Sequence, residues 1–220
     1  MIAPAAAARV AMLVCLTLPA AALAAKLSAN VRGGDGKPLP NAVVVAMPED
    51  GRLPPLTKTV EVVDQIDKEF VPYVKPVRAG SYVQFPNKDN IRHHVYSFSP
   101  PKRFELPLYS GTPAEPVLFD KPGIVKLGCN IHDWMLGYVY VAETPYFGKS
   151  AGDGRVELDQ LPPGRYQVRV WHPLMQGSET ATVQRVELRD ETPARVQWTL
   201  KLNPEYRPRR MPLPGEPGYR

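Results

Sequence analysis

Cysteine is scarce in this 220-residue chain: there are two, Cys15 and Cys129. Cys15 lies inside an apolar run, residues 10–18, which follows Arg9 and breaks at Pro19, with Ala22, Leu23 and Ala24 as a small-residue cleavage site. That is the layout of a secretory signal peptide, residues 1–24, cut before Ala25. The run is about half of the roughly 20 residues that a spanning helix needs, so no stable membrane insertion of the mature chain is expected. Val14 stands where a lipid-modified cysteine wants a small residue. Processing therefore leaves Cys129 by itself, in an oxidising compartment and without a partner for an intrachain disulfide. A lone exported thiol is a liability unless it is buried or metal-bound.

Other absences narrow the class further. No long helical period runs through the sequence, proline is frequent at 26 residues, and short segments alternate in polarity. These features predict an all-β protein. There is no glycine-rich nucleotide loop and no internal repeat. Without Arg9 the chain holds 26 basic and 22 acidic residues, a net charge of +4 spread along its length. Nucleic-acid binding asks for a dense basic patch instead, and is excluded as a function.

What is present centres on Cys129. His132 and Met135 follow it at Cys-x2-His-x2-Met spacing, after a strand-like segment in which Val125, Leu127 and Cys129 share one face. A thiolate, an imidazole and a thioether are soft and borderline donors that suit copper in both oxidation states, and a second imidazole completes the set. The segment Asn90-Ile91-Arg92-His93-His94-Val95-Tyr96 supplies it. Adjacent strand residues point to opposite faces, so only one of His93 and His94 can ligate. His172, in Trp171-His172-Pro173, has no ligand-spaced neighbour and reads as structural.

Residues 83–95, ending in His93-His94-Val95, and residues 119–135 together resemble the cupredoxin family, nearest to amicyanin among the plastocyanin-like proteins. The resemblance implies a Greek-key sandwich over residues 56–143 and one copper ion held by His93, Cys129, His132 and Met135. It implies an exported, periplasmic carrier of single electrons between a redox protein donor and a redox protein acceptor, and by analogy a place in methylamine oxidation. It implies no enzyme activity, because every coordination position is filled. Trp134 is expected on an apolar surface around His132, and Asp133 beside it biases the choice of partner. Two positions depart from the family. Gly128 stands where an aromatic residue often precedes the ligand cysteine, and His94 where asparagine is usual. The alternatives are a copper-delivery protein and a partner-binding β-module. A binuclear copper centre needs a second thiolate, structural zinc has little use for methionine, and a cysteine hydrolase needs a base and an oxyanion site.

The flanks read differently. Residues 35–44, and far downstream 151–158 with 161–170, resemble carboxypeptidase regulatory-like domains, small sandwiches related in shape to transthyretin. The expectation is a split sandwich, residues 25–55 and 144–202, with the copper-type unit inserted at a loop; two sandwiches joined in tandem are the other arrangement. Single strands are predicted over 69–77, 81–85, 181–188 and 195–200. Residues 203–220, rich in proline and arginine, are expected to be a disordered tail.

Overall fold

A computed structural model describes residues 25–113, 115–189 and 193–205. The signal-peptide expectation, residues 1–24, and all of the tail beyond Glu205 lie outside the described residues. The described residues are all-β, with one short 3-10 turn. In order, the strands are β1 (Ala25–Gly33), β2 (Val43–Pro48), β3 (Val60–Val62), β4 (Asp64–Ile66), β5 (Glu69–Val71), β6 (Val74–Arg78), β7 (Ser81–Gln84), β8 (His93–Ser97) and β9 (Phe104–Tyr109). There follow β10 (Val117–Phe119), β11 (Gly123–Cys129), β12 (Leu136–Ala142), β13 (Phe147–Lys149), β14 (Arg155–Leu161), β15 (Gly164–Trp171), β16 (Gln184–Leu188) and β17 (Ala194–Leu200).

Polarity alternation makes these strands two-faced, and the faces sort them into two packed groups of sheets. In β1, Leu27, Ala29 and Val31 are buried while Lys26 and Arg32 face water. Strand β1 pairs antiparallel with β14 and parallel with β17, and this sheet packs against β13-β2-β15-β16 over a core that includes Leu158, Tyr166, Val168 and Trp198. The strands between β2 and β13 form a five-stranded sheet β6-β12-β11-β8-β9, a three-stranded sheet β10-β7-β3 and a ribbon β4-β5. Their core holds Val83, Phe85, Phe119, Val125, Leu127, Cys129 and Met135. Each fully buried Val, Leu or Phe contributes about 1.5–3 kcal/mol relative to exposure. Neither group of sheets contains a strand from the other.

A third cluster joins the two groups. Val43 and Val45 of β2 pack with Val74, Tyr140, Ala142 and Trp171, while Val44 and Ala46 of the same strand face the flanking core. Strand β2 is therefore covered on both sides, which explains why residues 42–46 are a continuous apolar run. A polar network closes the same seam: Arg169 pairs with Glu143 and Glu179, and the Tyr140 hydroxyl donates to Glu179.

Two predicted strands differ from the structure. Residues 69–77 form β5 and β6 in separate sheets, since Pro72 between them has no N–H for a ladder. Residues 181–188 begin in the 3-10 turn Glu179–Thr182, because the Ser178 hydroxyl accepts from Thr180 N and Thr182 Oγ1 turns back to Glu179 O. Only β16 is extended.

His172 is buried at the end of β15, where its Nδ1 accepts from Leu174 N at 3.2 Å and the Pro40 backbone is its other partner. Burial lowers its pKa below the ordinary 6.5, against the smaller opposing effect of the Pro40 bond. The unfolded chain therefore takes up the proton first. This contribution to stability is complete above about pH 6.5 and is lost as pH falls through the folded value. In His172→Gln, the urea midpoint is expected to fall less than in the parent between about pH 7 and pH 5; parallel curves would remove the assignment.

Candidate metal centre

The centre is built from the adjacent ends of β8 and β11. These strands are antiparallel, with Cys129 opposite Val95 and Gly128 opposite Tyr96. His93 and Val95 are two positions apart, so His93 lies on the same face as Val95, just past the end of β11. Its Nδ1 stands 3.8 Å from Cys129 Sγ. After Cys129 the chain makes a tight loop, closed by Met135 N donating to His132 O at 2.9 Å, and this turns His132 Nδ1 to 3.8 Å from the same sulfur. The three donor atoms lie within 4.8 Å of one another, the one such His/Cys/Asp/Glu group among the described residues.

These separations fit a shared ion. Donors held at about 2.3 Å (sulfur) and 2.0–2.1 Å (nitrogen) from one metal stand about 3.6–3.8 Å apart at ordinary bond angles. One thiolate and two imidazoles suit one copper ion. Met135, 2% exposed, packs in the same core as Cys129 and lines a cleft with it. His94 points to the other face, where Nε2 pairs with Glu105 at 3.0 Å and the ring meets Tyr96 edge-on. Strand alternation thus brings His93, fully buried, to the sulfur and takes His94 away from it.

The surroundings fix the imidazoles. His93 Nε2 donates to Asp89 Oδ2 at 2.7 Å, which leaves Nδ1 with its lone pair facing the sulfur. The Asp89 carboxylate also accepts from Asp67 N at 2.7 Å and Lys68 N at 2.9 Å. Burial would raise the Asp89 pKa, but the bonds from His93, Lys68 and Asp67 outweigh it and hold it below its ordinary value. Buried Asn87 braces the loop: its Nδ2 donates to Ile91 O and Tyr109 O, and its Oδ1 accepts from Asp89 N. Burial lowers the pKa of His132, with the neighbouring His93 and Lys68 charges adding to the effect. A neutral ring is the ligating form.

Trp134 is half-buried, with its ring 5.1 Å from that of His132 and its Nε1 enclosed by protein. The exposed residues of this loop are Asn130, Ile131 and Asp133. A cleft of about 560 Å³ runs beside Cys129 and Met135, lined also by Tyr96, Phe98, Lys126 and Trp134. Asp89, Asn87 and Tyr96 were missed by sequence reasoning. The one signal for Asp89 is an acid four residues before the histidine, a spacing too common to be specific.

No protein-family model matches the chain, and no curated protein matches it. Among solved structures it is similar to a copper-containing nitrite reductase from Thermus scotoductus SA-01, at 27% identity over 42% of this chain and 24% of that one, TM-score 0.36. The chain thus spans about a quarter of that enzyme's length. It is also similar to a purple cupredoxin from Nitrosopumilus maritimus (20% identity, 38% of this chain and 99% of that one, TM-score 0.33) and to a reduced amicyanin variant (23% identity, 38% and 82%, TM-score 0.34).

Proposed function

We propose that the chain is an exported electron carrier with a single copper ion, which His93, Cys129, His132 and Met135 would hold. The convergence of three donor atoms from two separate segments within 4.8 Å carries this reading. Copper bound there supplies one-electron chemistry by cycling between Cu(I) and Cu(II). The protein holds one donor geometry through that cycle. Asp89 fixes the His93 tautomer, the 132–135 turn fixes His132, and the packed core around Cys129 and Met135 keeps water from the sulfurs. Four protein donors would leave no position for a substrate on the ion, which favours a carrier over an enzyme. Redox proteins are then its donor and acceptor, the signal peptide places it in the periplasm, and the amicyanin-like spacing suggests an amine-oxidising chain as its setting. The same reading takes residues 56–143 as the copper unit, inserted in a regulatory-like sandwich of residues 25–55 and 144–202. Among the described residues no helix is long and apolar enough to cross a membrane.

Visible spectroscopy of the Cu(II)-loaded mature chain tests the reading. An intense thiolate-to-Cu(II) band, lost in Cys129→Ser, is expected, with copper bound one to one. A colourless protein that holds only Cu(I) would turn the assignment to copper delivery.

A further inference from the structure

The three-stranded sheet β10-β7-β3 of the copper-type unit ends in a bare strand. β3 pairs with β7 on one side and with no strand on the other. Tyr82 N donates to Thr59 O and Val63 N to Gln84 O, so residues 59, 61 and 63 turn their backbone groups toward β7. By the alternation of a strand, the N–H and C=O groups of Val60 and Val62 point away from β7, out of the sheet edge. Their side chains are in water too: Val60 is 59% exposed and Val62 41%. In register with Val60, the half-buried Tyr82 and Leu118 continue the same outer face across the sheet.

An open edge beside an apolar face is a template for another strand, and chains usually guard such edges with proline or charge. The other edges of the two larger sheets in this unit are guarded. Pro76 lies in β6 and Pro107 in β9, the two edges of the five-stranded sheet, while Pro116 and Pro122 bracket β10. No proline occurs from Thr57 to Val71. The one charged residue in β3, Glu61, faces the other side of the sheet, where its carboxylate holds Lys75 at 2.6 Å.

We propose that β3 pairs antiparallel with β3 of a second copy of this chain, about a two-fold axis at Glu61, joining the two sheets into one. The register follows from the edge itself. Centred on Glu61, Val60 of each copy stands opposite Val62 of the other, and these are the residues whose backbone groups point outward. Each such pair exchanges both of its N–H to C=O bonds. The four valines meet on the outer face. The Glu61 carboxylates, opposite each other at the axis, are each neutralised by their own Lys75. Charge order along the edge selects the same direction. Lys58 precedes β3, and Asp64, which also pairs with Lys88, follows it; antiparallel alignment sets unlike charges opposite, and parallel alignment sets like charges opposite. A second copy is the occupant because the contact is self-complementary, as a two-fold interface must be. The strand is three residues long, so the interface is small and the dimer exchanges with monomer. No candidate metal ligand lies on β3 or β7, and the pairing is independent of the metal.

Sedimentation velocity of the mature chain, from about 1 µM to about 500 µM, tests it. The parent is expected to shift from monomer toward dimer across this range. Val62→Pro removes one outward N–H per copy while residues 61 and 63 keep their bonds to β7, and is expected to weaken the dimer by about tenfold or more. Val60→Lys/Val62→Lys sets like charges opposite and is expected to leave only monomer. Val60→Lys/Val62→Glu sets unlike charges opposite in this register, and is expected to keep a dimer that salt weakens. Urea unfolding checks that each variant is folded, and the two charge variants decide the matter if Val62→Pro is not. A parent that stays monomeric throughout, a folded Val62→Pro chain that dimerises as the parent does, or equal loss of dimer in the two charge variants overturns the pairing.

Discussion

Asp89→Ala is expected to weaken copper binding by about 10- to 100-fold, the usual loss when the partner of a ligating histidine is removed. The carboxylate accepts three hydrogen bonds, from His93 Nε2 and from the backbone N–H groups of Asp67 and Lys68. Asp67 and Lys68 are the two turn residues between β4 and β5, and both adopt positive φ, 54° and 61°, without being glycine. A two-residue hairpin turn of this hand matches the twist of its strands, but each non-glycine residue there costs on the order of 1 kcal/mol. Asp89 offsets that cost, so one carboxylate ties a strained hairpin to the buried imidazole.

Its loss acts on two levels. Without an acceptor at Nε2, the His93 ring can rotate or take the other tautomer, which withdraws Nδ1 from the sulfur. The hairpin amides also lose a charged acceptor, a loss of about 2 kcal/mol in the metal-free protein. Competition against a chromophoric chelator measures the affinity, and urea unfolding of the metal-free chain measures the stability. Lys88→Ala, which breaks an exposed pair with Asp64, is the comparison and is expected to cost less than about 1 kcal/mol. Affinity within twofold of the parent in Asp89→Ala would show that the imidazole needs no such partner.

Gly154→Val is expected to destabilise the fold by about 4 kcal/mol or more. Gly154 sits at φ 77°, and a Cβ there would lie 2.4 Å from Val31 O, 3.2 Å from Leu39 N and 3.3 Å from Pro38 Cα. All three are backbone atoms of a neighbouring segment, which cannot swing aside as a side-chain tip can. Gly154 O also accepts from Val31 N at 2.8 Å, so this close approach is the contact that starts the β1 and β14 pairing. Moving the turn outward breaks that bond, and staying in place keeps the overlap. Gly152→Ala is the control: nothing lies within 4 Å of its Cβ position, and a change within about 0.5 kcal/mol is expected. The midpoint of urea unfolding reads both. Gly154 belongs to the sheets that carry no candidate ligand, so the absorption band of the folded fraction should keep its position. A Gly154→Val chain as stable as its parent would contradict the close approach of these segments.

Much of the centre was legible because its signal is local. Cys129, His132 and Met135 share one loop, and period-two alternation put Cys129 on the face of Val125 and Leu127, which is buried in the structure. The His93 and His94 pair was harder. Alternation says that one of the two faces the core, and the register of β8 against β11 decides which. The extent of residues 69–77 and 181–188 was misjudged because proline and hydroxyl hydrogen bonds interrupt a strand without altering its apolar pattern. Trp134, expected on an apolar surface, is half-buried against His132, since the tight loop folds its ring back over the site.

Residue type and spacing alone determined that Cys129, His132, Met135 and one of the His93-His94 pair were the candidate donors, together with the all-β class and the inward face of each long strand. These follow from side-chain chemistry and from a backbone whose faces alternate every residue. Only the tertiary structure decided that β1 pairs with strands more than a hundred residues away, that β2 is buried on both faces, and that Asp89 and Tyr96 stand behind and beside the sulfur. Such pairings depend on which apolar faces and which carboxylates meet once the sheets pack, a property of the whole chain and of no single stretch of it.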